Sequence, residues 1–208
     1  MTEITMSRAL ELFETGYRRL IDEQPKFYYS QGKSFKSHCC LVACCAEIIA
    51  SRLPHIDGRK AYIYGLLHDY GKMIKDADNE MFFHGLTGYD EFMKIGYPDI
   101  AKICLTHSFT NKDFKLSDYS YPHRDLQKTR RLLSKMEYDD YDRLIQLCDL
   151  LILDFDFKTL RERIEFIKLK YRVSSLMIKR KYREALHLKS YFDKLCGCDI
   201  YSLLGVKS

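Results

Sequence analysis

An all-α protein is what this sequence predicts, on three observations. Apolar residues recur at three- and four-residue spacing along nearly the whole chain, and no stretch alternates convincingly as a strand would. Gly, Asn and Asp separate these segments, and only four prolines interrupt them. A length of 208 residues with 46% hydrophobic side chains suffices for one good-sized core. The expected arrangement is a single helical bundle. Residues 1–33 form an N-terminal helix and connection, 34–155 the core, and 156–208 a helical extension.

The elements follow in order. A first helix is expected over Ser7 to Asp22, followed by QPKFYYSQGK as a connection. In SFKSHCCLVACCAEIIASRL, His38, Leu41, Val42, Cys45, Ile48 and Ile49 share one helical face. The run AYIYGLLHDYGK predicts a buried helix from near Asp57, with Asp69 in its last turn and Gly71 as its stop. A looser segment, Met73 to Phe83, precedes two short helices near 86–95 and 99–107, divided by Gly96-Tyr97-Pro98. Residues 108–124 read as a loop, then a helix runs from Asp125 to Met136. Asp139, Asp140 and Asp142 favour the start of the next helix, which continues through RLIQLCDLLILDF. Two tail helices cover about 159–171 and 174–195. The basic stretch IKLKYRVSSLMIKRKYREALHLK is read as amphipathic, packing Leu176, Met177, Leu186 and Leu188 inward and leaving its charges in water.

Composition narrows the function. No apolar run approaches a membrane span, and the first thirty residues lack a signal peptide's apolar centre, so the chain reads as cytoplasmic. Eight cysteines without paired CxxC motifs read as reduced, mostly buried thiols. A net charge of +5 suits an anionic substrate.

Two carboxylates are hard to justify by folding alone. Asp69 adds negative charge where the helix dipole already presents it. Asp149 lies in a helix that is apolar nearly all round, where an isolated ionised carboxylate costs several kcal/mol. A buried arginine, a helix end or a metal ion would each relieve it. His38 sits on an apolar face, where a lone histidine is more often a satisfied core residue than a ligand. His68 adjoins Asp69, His84 stands at a helix start and His107 ends DIAKICLTH. Imidazoles and carboxylates together suit iron, manganese, cobalt, nickel or zinc. His55 and His187 read as surface residues, and His123 and Arg124 as loop residues.

A histidine (His38), a later His-Asp pair (His68-Asp69) and a distant aspartate (Asp149) resemble, in order and spacing, the HD-domain metal-dependent phosphohydrolase superfamily. The resemblance covers roughly residues 35–155. His84 and His107 occupy the places of the extra histidines in its two-metal branch. It implies one metal held by His38, His68, Asp69 and Asp149, and a second held by His84 and His107 with Asp69 bridging. It further implies attack by a metal-bound hydroxide on a phosphate ester or anhydride of a small molecule, a nucleotide in the first instance. Lys72 would meet a substrate phosphate as a mobile point charge.

Within the branch the chain is similar to bacterial hydrolases that cleave dinucleoside tetraphosphates symmetrically. It departs from them in LLILDFDF after Asp149 and in HDYGK, where an alanine would precede the lysine. The alternatives are a phosphodiesterase acting on a cyclic nucleotide or RNA, and a non-catalytic nucleotide- or RNA-binding module. The expected partner is a small phosphorylated substrate, with nucleic acid and membrane disfavoured. The oligomeric state stays open, a homodimer included.

Overall fold

Thr5 caps the first helix: its Oγ1 accepts a hydrogen bond from the Arg8 amide, and α1 runs Met6–Glu23. The computed structural model describes residues 3–29, 33–74, 83–112, 114, 123–153, 155–171 and 175–207. Ala9, Leu12, Phe13, Gly16 and Leu20 form the buried face of α1. The expected connection after it contains one helical turn, α2 (Pro25–Phe27), opened by a proline whose fixed φ suits the first helical position.

The core is built on two helical hairpins. In the first, α3 (Lys33–Ala50) packs along α4 (Gly58–Leu67). Gly65 makes this approach possible: a Cβ there would stand 2.7 Å from the Ala43 Cα. Val42, Cys45 and Ile49 are buried as expected, whereas Ile48 is exposed. In the second hairpin, α5 (His84–Lys94) packs on α6 (Pro98–Thr106), turned by Gly96 at φ 88° and started again by Pro98. Gly85 and Gly88 face Cys104 of α6 so closely that a Cβ on either would stand within 2.9 Å of it.

Asp69 is not in the last turn of α4. That helix ends at Leu67 with His68 as its cap, and Asp69 opens a 3-10 turn, Tyr70–Met73. Nor is Gly71 a left-handed stop, since its φ is not positive. It is required by proximity: a Cβ there would stand 1.9 Å from the His84 carbonyl oxygen. The turn rests on α1, and Gln24 donates from Nε2 to the Lys72 carbonyl at 3.2 Å.

The helix α7 (His123–Leu133) begins at His123, so His123 and Arg124 open a helix instead of lying in a loop. Leu126 and Leu133 join Phe83, Leu86, Leu105, Phe109 and Phe114 in a second apolar cluster. Asp139 caps α8 (Asp140–Leu150) through a capping box with Asp142, as the acidic cluster led us to expect. This helix stops earlier than expected. An antiparallel pair, β1 (Ile152–Leu153) and β2 (Asp156–Phe157), follows it where continued helix was expected. The tail supplies α9 (Leu160–Tyr171), α10 (Ser175–Cys196) and α11 (Ile200–Leu204). Along α10, Ile178, Ala185 and Phe192 are buried at heptad spacing, together with Met177, while Leu188 packs partly buried against the core. Leu176 and Leu186 are exposed, against expectation, because the seam runs one residue off their stripe.

All eight cysteines are free. Cys39, Cys45, Cys104 and Cys148 are buried and Cys44 is exposed, so burial holds for half of them. Among the described residues no helix is long and apolar enough to cross a membrane. The expected looser segment and loop fall largely at 75–82, 113 and 115–122, outside the described residues.

Candidate metal centre

The hairpins determine which side chains meet. His38 lies in the first turns of α3, alongside the end of α4 where His68 and Asp69 sit, and the two imidazole centroids are 5.4 Å apart. His84 starts α5 and His107 caps α6, so the turn at Gly96 brings them together with 3.2 Å between their Nε2 atoms. Asp149 arrives from the last turn of α8. All six candidate ligands therefore converge, from five helical segments.

Asp69 is the hub. Its Oδ2 lies 3.6 Å from His68 Nε2 and 3.9 Å from His38 Nε2, and its Oδ1 lies 3.0 Å from His84 Nε2 and 3.4 Å from His107 Nε2. Asp149 Oδ1 approaches the first group at 3.1 Å from His38 Nε2 and 4.0 Å from His68 Nε2, and lies outside the two compact groups of three, His38-His68-Asp69 and Asp69-His84-His107. Donors about 2.1 Å from a common ion can be at most about 4.2 Å apart, and these separations meet that bound.

The tautomers are set from behind. His68 Nδ1 donates to the Gly65 carbonyl at 2.7 Å, and His107 Nδ1 to the Ile103 carbonyl at 3.3 Å. Each histidine then turns a bare Nε2 lone pair into the centre, the arrangement that orients metal-bound imidazoles. His68 Nε2 and Asp69 Oδ1 are both buried without a properly aligned hydrogen-bond partner. Buried polar atoms are rarely left so, and a cation at each would satisfy them. Two groups, His38-His68-Asp69 and Asp69-His84-His107, have the geometry to hold a metal ion.

The electrostatics agree. Burial pushes the His68 pKa down to about 3, with Asp69 only partly opposing, and burial together with the Lys72 charge brings His84 to about 4. Both imidazoles are neutral near pH 7, as ligands must be. Burial alone would raise Asp69, but Lys72, His68, His84 and His107 outweigh it and hold it well below the usual carboxylate range. Asp149 is likewise held low against its burial, by His38 first and then by Arg163 and His68.

Among the described residues, Lys72 meets a carboxylate and an aromatic ring instead of the preceding helix's carbonyls. Its ammonium meets Asp69 Oδ2 at 2.5 Å and lies over the Phe35 ring. His55 is half-exposed against Asp140 and His187 is exposed, as surface residues should be.

Three groups were not foreseen. Ser108 Oγ lies 2.9 Å from His107 Nε2, and a hydroxyl directly after a candidate ligand was a visible signal. Arg163 Nη2 of α9 stands 3.6 Å from Asp149 Oδ1, and Lys181 of α10 lies in the field of Asp149. A buried arginine was one of the partners expected for Asp149, and Arg163 is that residue, but nothing local in the sequence singles out Arg163 or Lys181. Buried Asp142 was likewise read only as a helix-start residue. It pairs with Lys102 Nζ at 2.5 Å and accepts from Thr106 Oγ1 at 2.7 Å, tying α8 to the helix that ends in His107. A cavity of about 690 Å³ lies elsewhere. It is lined by Lys60, Tyr64 and Asp99 at the N-terminal ends of α4 and α6, opposite the cluster.

Comparison with known proteins identifies the family. The profile of the HD-domain family matches residues 35–153, more than half of the chain, and the chain belongs to that family. Its members are generally metal-dependent hydrolases, which suggests metal-dependent phosphohydrolase activity here. Searches of curated proteins and of solved structures return no match.

Proposed function

We propose that this protein is a two-metal phosphohydrolase acting on a small phosphorylated molecule, a nucleotide in the first instance. The observation that carries the reading is the division of the Asp69 carboxylate. One oxygen faces His38 and His68 and the other faces His84 and His107, as a bridging ligand's would. His38, His68, Asp69 and Asp149 would hold one ion, and His84, His107 and Asp69 the other. Iron or manganese suits this donor set, and zinc, cobalt and nickel also accept it. Bound metals would supply an ionised water near neutral pH and neutralise charge on the phosphoryl oxygens.

The protein's own groups do the rest. Gly65 and Ile103 carbonyls hold the His68 and His107 rings in register. Lys72, anchored on Asp69 and 28% exposed at its side chain, can turn its ammonium to a phosphate at the rim. The Ser108 hydroxyl is placed to donate to an oxygen beside His107. Residues 34–155 would form the catalytic core, in a protein working in the cytoplasm.

Phosphate release from a panel of mononucleotides, dinucleoside polyphosphates, cyclic nucleotides and short RNA tests this. The expected outcome is turnover of a small nucleotide that Asp69→Asn abolishes. Turnover surviving that substitution would refute the mechanism. Ligand-induced stabilisation by every nucleotide with no phosphate release would establish a binding module instead.

A further inference from the structure

Helix α10 leaves one side uncovered along its whole length. Ile178, Ala185 and Phe192 turn into the core at seven-residue spacing. The opposite side carries Leu176, Lys179, Arg183, Leu186, Ser190 and Lys194, spaced by three or four residues and all exposed. Its leucines are the two that the sequence pattern places inside, yet Leu176 is 80% exposed and Leu186 41%. At 1.5 Å per residue, a helix of 22 residues makes this side about 33 Å long.

The exposed charges on α10 have one sign. Its two carboxylates are only partly exposed and are engaged elsewhere, Glu184 by the Thr110 hydroxyl and Asp193 by Lys189. Lys179, Arg183 and Lys194 make no ion pair among the described residues. The adjoining end of α9 repeats the composition. Leu169 is 77% exposed there and stands between two exposed lysines, Lys168 and Lys170, of which Lys168 pairs with Glu165 at 3.7 Å.

The mixture of leucine and cation decides between occupants. A second copy of the chain would set these cations against their own kind, with no exposed carboxylate of α10 to answer them. A nucleic-acid backbone would take the cations and leave the leucines in water. An anionic bilayer takes both: leucines sink to the boundary of headgroups and acyl chains, while the long lysine and arginine stems keep their charges at the level of the phosphates. Spanning a bilayer is a different matter, and among the described residues no helix is long and apolar enough for it.

We propose that this side of α10 binds the surface of an anionic lipid bilayer, with Leu176 and Leu186 inserted at the headgroup boundary and Lys179, Arg183 and Lys194 among the lipid phosphates. The buried side of the helix stays packed against α8 and the core. The inference does not depend on the hydrolase reading, since none of these residues is a candidate metal ligand.

Sedimentation of the full-length protein with vesicles at physiological salt tests it, using phosphatidylcholine alone and phosphatidylcholine mixed with phosphatidylserine. The wild type should sediment with the mixed vesicles and stay in solution with phosphatidylcholine alone. Leu176→Gln combined with Leu186→Gln should weaken binding roughly tenfold or more, through lost apolar burial. Lys179→Gln combined with Arg183→Gln should weaken it about fivefold for each cation removed. All four side chains are exposed, so Tm should stay at the wild-type value. The chain has no tryptophan, so Leu186→Trp supplies a single reporter, whose emission should shift to the blue on the mixed vesicles.

A wild type that stays in solution with the mixed vesicles would overturn the proposal, as would equal sedimentation with phosphatidylcholine alone. Binding unchanged by the leucine pair, or an unshifted Leu186→Trp emission in sedimented protein, would leave the leucines in water and overturn it too. Short RNA bound more tightly than the mixed vesicles, and released by the basic pair but not the leucine pair, would assign this side to nucleic acid instead.

Discussion

Replacing Gly71 with alanine tests whether backbone proximity sets the metal centre. An ideal Cβ at this position would stand 1.9 Å from the His84 carbonyl oxygen and 2.8 Å from the Gly88 amide. Ordinary contact begins near 3.4 Å, so the two segments must separate by about 1.5 Å, the difference between 3.4 and 1.9 Å. Both sides of the clash are backbone, and no rotamer change relieves it. Overpacking of this kind costs about 3 kcal/mol, the upper end of its usual range. In a chain of this length that lowers Tm by about 6–12 °C. The carbonyl displaced belongs to His84 itself, whose Nε2 must stay near Asp69 Oδ1 and His107 Nε2. Metal sites tolerate only about 0.2 Å in ligand distance, so the ion proposed for His84 and His107 should be lost before the one proposed for His38, His68 and Asp149. Differential scanning calorimetry and metal analysis read both effects. Gly58→Ala is the control, since its Cβ would meet nothing closer than 3.7 Å. A Gly71→Ala protein with wild-type Tm and undiminished metal content would refute the reasoning.

Other expectations follow from the same geometry. Lys72→Ala should lower kcat/KM about tenfold to a hundredfold with metal content retained, and loss of metal would instead make Lys72 a structural counter-ion. Asp142→Ala strands Lys102 beside Asp139 alone and empties a buried hydrogen bond from Thr106. It should cost about 3 kcal/mol in urea denaturation. In metal-stripped protein, His68 and His84 have folded pKa values of about 3 and about 4, below the 6.5 of a free imidazole. The unfolded chain then binds more protons. Their contribution is complete above pH 6.5 and is lost as pH falls toward 4, by up to about 1.4 kcal/mol per pH unit for each histidine. Flat stability across that interval would contradict the assignment of neutral, buried imidazoles.

What could be read in advance divides by range. His68-Asp69 was legible because two polar residues end an apolar run, and the reason is local. The helical hairpins were legible for the same reason, since periodicity, Gly96 and Pro98 act within a few residues. Gly71 was misread because glycine after a helix usually signals a left-handed cap, whereas its true constraint is the His84 carbonyl thirteen positions on. That Arg163 would be the arginine beside Asp149 was not legible, because its approach depends on how α9 packs against α8. The exposed Leu176 and Leu186 record the same blindness: a helix with apolar residues on several stripes does not announce which one turns inward.

The central claim is that Asp69 joins two metal ions. It is tested most directly by counting metal per chain in protein purified without chelator, then in Asp69→Asn and His84→Ala. The account predicts two ions in the wild type, one in His84→Ala and neither retained in Asp69→Asn. A wild type holding a single ion that His84→Ala leaves in place, or an Asp69→Asn protein that keeps two, would contradict it.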